Sequence, residues 1–378
     1  MSDQSSAPLP KSERRRALRV ALIAALSTFV LVLPVAVFLL LRGGGKPAEP
    51  AAPPSPGITS PSTTPSSGPQ TSRPPDGRIP LSTLKNATLT IPRWPADNVQ
   101  GPHGPLQFRD GKVTIPFEQP VTGRPPTGTE IVILAVTYGD VDRDGADETI
   151  AEIGCLVEGG SKQLVAFDRD TSGRIVTMGA VVATTGDIRD IRTDSARVTG
   201  NGTVTAKVGD YLACCGDETP RTWQTRGYRW RNGGFEQVSG PTTMTANPYV
   251  TETRISAGSL VLGPAVDGYR SGIVTVTMTH RWGTRPERLT LRFFPPAGLE
   301  RAGSAWPPVS ANSVSFAVTM DAPRAGSSVT RTFAFRRPAA TSGGQLDIEL
   351  LGNSRQDRAL SEAVPWNNTA IAAIRTAY

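Results

Sequence analysis

Residues 131–155 read IVILAVTYGDVDRDGADETIAEIGC, and this stretch decides the fold. Ile131–Gly139 is a short apolar run rich in β-branched side chains, which reads as a strand. Thr149–Cys155 alternates well enough to be a second strand. Asp140–Glu148 lies between them, dense in carboxylates and carrying Gly145 where a sharp turn is needed. Strand, polar turn and strand make a hairpin.

The same signature extends outward. Val, Thr and Ile recur in short runs separated by Gly, Pro, Asn and Asp, and no long 3.6-residue period follows residue 78. Gln163–Phe167, Arg174–Gly179, Ile188–Val198, Thr203–Val208 and Thr222–Trp230 read as further strands. Asn232-Gly233-Gly234 turns the last of these into Phe235–Val238. Residues 79–243 are therefore expected to form a compact β domain. Asn247-Pro248 marks a boundary. Beyond it, Gly258–Leu262, Gly272–Thr279, Arg288–Phe294, Ser313–Val318, Ser328–Phe335 and Gln345–Leu350 predict an immunoglobulin-like β-sandwich over 249–378.

The acidic loop carries the sharpest chemistry. Asp140, Asp142 and Asp144 alternate, Gly145 sits at loop position 6, and Glu148 closes the run. Calcium takes six to eight oxygens in flexible geometry. Alternate carboxylates on a tightly turning loop converge on one ion, with the carbonyl of Ala146 as a further donor. The expected set is Asp140, Asp142, Asp144, Ala146 and Glu148, with Gly145 as the turn glycine. Without a cation these carboxylates repel one another. An EF-hand would need Glu at loop position 12, where Ala151 stands, and would enter from a helix rather than a strand.

Tyr138-Gly139-Asp140 through Glu148 resembles the calcium loops of FG-GAP or integrin β-propeller repeats. The resemblance implies a local calcium-binding hairpin. It implies no propeller, because the loop occurs once within 79–243 and a propeller repeats its blades. The whole of 79–243 is similar to a domain of uncharacterised membrane or secreted proteins of actinobacteria. Trp366-Asn367-Asn368-Thr369-Ala370 resembles the ending of bacterial surface Ig-like modules. That resemblance implies Asn side chains tying the last turn to the strands, and a spacer, adhesion or presentation role.

The N-terminal fifth reads differently. Residues 20–41 (VALIAALSTFVLVLPVAVFLLL) carry no charge and are long enough to span a bilayer core as a helix. Arg14, Arg15, Arg16 and Arg19 precede the run, which by the positive-inside rule places the tail 1–19 in the cytoplasm. Residues 42–78 are rich in Pro, Ser, Thr and Gly and predict a disordered linker. The expectation is a single-pass cell-membrane protein with a lipid-bilayer anchor and its bulk outside.

Cys155, Cys214 and Cys215 are the three cysteines. In an oxidising location Cys155 can bridge to Cys214 or Cys215. The formal charge is +7, partly from the N-terminal tail, and no basic patch alternates with aromatics, so nucleic-acid binding is not expected. The only histidines are His103 and His280, far apart, and no catalytic set emerges. Asp168 and Asp170 fall in a DRDTSG run and read as turn formers. The sequence points to a non-catalytic surface protein with a structural calcium site, binding a protein or wall polymer. An envelope sensor and an extracellular hydrolase are the alternatives.

Overall fold

The computed structural model describes residues 75–157, 159–214, 216–353 and 359–377. Five antiparallel strands form the central meander: β1 (Lys112–Thr114), β2 (Glu130–Gly139), β3 (Glu148–Val157), β4 (Gly159–Arg169) and β5 (Ile175–Ala183). β2 and β3 are the hairpin expected from residues 131–155, paired from Glu130↔Leu156 to Gly139↔Glu148. The acidic loop is the connection between them.

β3 is buried almost end to end, because both faces of the meander are covered. On one face Ile131, Ala151, Ile153, Val165 and Phe167 pack under a lead-in layer that contributes Ile79, Leu84, Leu89, Trp94 and Phe108. On the other face Ile150, Leu164 and Ala166 pack against Ile191, Val204, Ala206 and Val208. Those last residues belong to a second five-stranded sheet. Its long strands are β6 (Thr203–Gly209), β7 (Trp223–Arg231) and β8 (Gly234–Ser239). Alternate side chains on β3 thus feed two cores, each buried Ile or Leu contributing about 1.5–3 kcal/mol. This explains why the segment reads as apolar rather than as a half-wet alternating strand.

The C-terminal part is one eleven-stranded sheet rather than the two separate sheets of an Ig-like sandwich. Its principal strands are β9 (Val250–Ala257), β10 (Leu260–Val266), β11 (Tyr269–Gly283), β12 (Arg288–Phe294), β13 (Phe316–Asp321), β14 (Ser327–Pro338), β15 (Gln345–Asn353) and β16 (Thr369–Thr376). β16 makes the join. Its first residues pair antiparallel with β15, and Ile374–Thr376 pair parallel with Leu260–Leu262 of β10. The two faces are therefore continuous along one edge, and the sheet curls into a half-barrel. Phe293 lies at the centre of the curl, its ring 5.1 Å from Phe316 and 5.0 Å from Phe333. A smaller cluster of Val250, Ala363 and Val364, with Tyr211, Trp282 and Trp366 against it, lies where the parts meet. Trp366 also packs against the lead-in core.

The anchored reading needs correction. No helix among the described residues is long and apolar enough to cross a membrane. Their helices are the single turns Leu81–Leu84 and Pro365–Asn367. The run 20–41, the tail 1–19 with Arg14, Arg15, Arg16 and Arg19, and the linker as far as residue 74 lie outside the described residues. The transmembrane helix, the bilayer as partner and the single-pass location with a cytoplasmic N-terminus therefore have no element among the described residues to carry them. The surface-protein function built on that anchor has no support among the described residues.

Candidate metal centre

The loop between β2 and β3 is shaped by its own side chains. Asp140 accepts hydrogen bonds from the backbone N–H of Arg143 at 2.6 Å and of Gly145 at 3.2 Å. Asp142 accepts from Asp144 N–H at 3.1 Å, and Asp144 from Ala146 N–H at 2.8 Å. These are Asx-type turns, in which a short carboxylate stands in for a backbone acceptor. Gly145 has φ +90° and Arg143 φ +72°. Gly145 adopts the left-handed conformation freely, whereas Arg143 there costs about 1–2 kcal/mol.

Glu148 starts β3 and points back into the turn. It is 1% exposed, and its Oε2 accepts from Val141 N–H at 2.7 Å. Its Oε1 is buried and has no protein partner. One oxygen each of Asp140, Asp142 and Glu148 lies within 4.8 Å of the others. A buried carboxylate oxygen without a donor is costly unless something positive meets it. The triad can hold a divalent cation.

Asp144 and Ala146 are the other two expected ligands. Asp144 is exposed and is not among the three convergent carboxylates, and Ala146 is buried in the turn. Asp147 is turned away to Arg78, at 2.7 Å from Nε.

The sequence reading missed Asp168 as a neighbour of the cluster. The β3–β4 register that pairs Thr149 with Phe167 sets Asp168 across from Glu148. Burial raises its pKa, and Asp144 raises it further. Asp142 is raised by burial, then by Asp144, Asp140 and Asp168. Burial pushes Glu148 up to about 8, with Asp142 and Asp168 adding repulsion against the hydrogen bond from Val141. Counting the hairpin register back from the glycines at 159–160 would have found Asp168. Asp170, by contrast, is a turn former, accepting from Ser172 and Arg174.

The lead-in chain braces the same site. Ile79 N–H donates to Thr149 Oγ1 at 2.8 Å, and Thr149 Oγ1 donates to the Gly77 carbonyl at 2.8 Å.

Of the two bridges expected for Cys155, to Cys214 or to Cys215, the one to Cys214 is not formed. Cys155 is a buried thiol within the lead-in core, and its S–H donates to the Gln100 carbonyl at 3.3 Å. Cys215 lies outside the described residues. His280 is buried, with Nε2 3.0 Å from the Trp282 carbonyl. Asn367 donates to Glu252 Oε1 at 3.0 Å, and the Thr253 hydroxyl lies 3.4 Å from Asn368 Oδ1.

No protein-family profile matches the chain, and no curated protein matches it. The FG-GAP, actinobacterial and surface-module resemblances are corrected accordingly. The acidic hairpin belongs to a meander buried on both faces, and the C-terminal part curls as one sheet. Among solved structures, a non-cellulosomal cohesin from the archaeon Archaeoglobus fulgidus is similar at 12% identity, with TM-score 0.23, over 34% of this chain and 92% of that one. The N-terminal domain of PorA is similar at 10% identity, with TM-score 0.21, over 33% and 97%. The collagen adhesin of S. aureus is similar at 6% identity, with TM-score 0.19, over 58% and 89%. At such scores the likeness carries no argument about this chain.

Proposed function

We propose that the hairpin loop binds calcium and that the ion serves to hold the β scaffold together rather than to catalyse. The observation that carries this reading is Glu148. It is buried, its Oε1 has no protein partner, and it lies beside the oxygens of Asp140 and Asp142. An all-oxygen donor set on an irregular loop suits calcium. Zinc favours nitrogen and sulfur, and magnesium favours strict octahedral geometry and its own waters. The ion would bridge the start of β3 to the turn and neutralise the repulsion that Asp168 adds. The lead-in segment, β2, β3 and β4 all meet at this point, so its stabilisation would spread over the central meander.

A structural role is favoured by what surrounds the site. The loop N–H groups are occupied by the loop's own carboxylates, and the lead-in chain is tied to Thr149 beside them. Isothermal titration of the purified, chelator-treated protein tests the reading. One calcium per chain is expected, with magnesium binding weakly. Absence of binding at millimolar calcium sinks it.

A further inference from the structure

Away from the metal centre, two clefts adjoin where the meander and the curled sheet meet. The larger measures about 720 Å³ and the smaller about 260 Å³. They share Gly123, Trp366 and Thr369, so the Trp366 ring stands at their junction. The larger falls within the size of small-molecule sites, roughly 300–1,000 Å³. Its character is apolar, set by Val99, Phe117, Val121, Val157 and Leu212. Phe117 is 66% and Val121 56% exposed, both on the irregular segment between β1 and β2.

The smaller cleft is polar. Glu252, Asn367, Arg254, Arg281 and Asp97 line it, with Trp282 as a second aromatic wall. Glu252 is 2% exposed, and its Oε2 has no partner; Asn367 Oδ1 is likewise unpartnered. The two residues already meet through Asn367 Nδ2 and Glu252 Oε1, which leaves two acceptors unsatisfied on adjoining groups. Such acceptors call for donors. Charges of both signs meet here: Arg189, Arg254 and Arg281 face Glu252, and Arg189 also holds Asp97 at 3.2 Å. A cationic donor would meet these guanidinium groups, and an anion would meet Glu252 and Asp97. Neutral hydroxyl groups both donate to Glu252 and accept from Arg254 and Arg281.

We propose that this paired cleft binds an amphiphile with a neutral, hydroxylated head group and a hydrocarbon tail, of the alkyl-glycoside chemical class. The head lies in the polar cleft between Trp282 and Trp366. The tail crosses Trp366 into the apolar cleft and covers Phe117 and Val121. The aromatic junction suits both halves, since an indole offers an apolar face beside a polar edge.

The test is calorimetric titration of the full chain with decyl glucoside, octyl glucoside, methyl glucoside and decanoate, all below their micelle concentrations. One decyl glucoside is expected per chain. Two methylenes fewer should weaken binding by about tenfold, and methyl glucoside should bind far more weakly still. Decanoate, with the same tail and an anionic head, should bind at least about tenfold more weakly than decyl glucoside. Val121→Asp, at an exposed position that folding does not need, should lower decyl glucoside affinity about tenfold or more. Glu252→Gln should erase the preference for glucoside over decanoate. Binding that ignores tail length, or decanoate binding as well as the glucoside, overturns the proposal. So does the absence of saturable binding.

Discussion

Replacing Glu148 by Gln isolates the cation site from the fold. The isosteric amide keeps an oxygen to accept from Val141 N–H, now 2.7 Å from Oε2. It removes the carboxyl whose second oxygen has no partner, and with it the negative charge a bound cation would hold. With its pKa pushed up to about 8, Glu148 is largely protonated at pH 7 without a cation, so the apo variant should be about as stable as the apo parent there, and more stable only at higher pH, where the carboxylate crowds Asp142 and Asp168. The ligand-linked gain should vanish. At calcium a hundredfold above Kd, binding to the folded state alone stabilises by about 2.7 kcal/mol. With an unfolding entropy of about 2.1 cal/mol/K for each of roughly 300 folded residues, that gain raises Tm by about 4 °C. Differential scanning calorimetry with calcium and with chelator reads both numbers. The parent should shift by several degrees and Glu148→Gln by under about one degree. An equal calcium shift in both proteins would refute the reasoning. So would an apo variant several degrees less stable than the apo parent, since that would make the charge itself a stabilising group.

Other consequences are separately testable. Gly77→Ala should destabilise by about 1–3 kcal/mol in a denaturant titration, because its Cβ would overlap Asp168 Oδ1 and lie 2.8 Å from the Asp147 carbonyl oxygen. Phe293→Ala should cost about 3–5 kcal/mol by the same measurement, having emptied the centre of the curled sheet. Glu362 is pushed up to about 8, chiefly by burial and then by Glu252, against hydrogen bonds from Asn368 and Thr253. Its folded value lies above its ordinary 4.5, so its stabilising contribution is complete below pH 4.5 and is lost as pH rises through 8. Tm measured across that window should fall in the parent and fall less steeply in Glu362→Gln, where Glu148 still contributes. The Cys155 thiol is pushed up to about 12 by burial, so iodoacetamide should leave it unmodified in the native protein and alkylate it after unfolding.

The β content and the acidic hairpin were legible because they are local. Ile131–Gly139 and Thr149–Cys155 carry their own strand pattern, and the Asp140–Glu148 turn follows from Asp and Gly at fixed offsets. Where the sequence misled, the deciding contact was distant. Asp168 joins the cluster only through the β3–β4 register, twenty residues along the chain from Glu148. The curl of the C-terminal sheet depends on β16 pairing with β15 and then with β10, a switch that no strand signature encodes. The spacing of the cysteines invited a bridge, yet Cys155 faces a core closed by Gly101 and Gly128, where even a Cβ would lie 2.6 and 2.5 Å from its sulfur. Asp144 and Asp147 show the limit of counting carboxylates. Both occur in the loop, but Asp144 is not among the three convergent carboxylates and Asp147 is drawn off by Arg78.

The most direct test of the central claim is a crystal structure of the protein grown with calcium and measured at a wavelength that reveals the ion by anomalous scattering. The account predicts one peak with carboxylate oxygens of Asp140, Asp142 and Glu148 at about 2.3–2.6 Å. A loop that holds only water at saturating calcium, with Glu148 Oε1 hydrogen-bonded to it, would contradict the account.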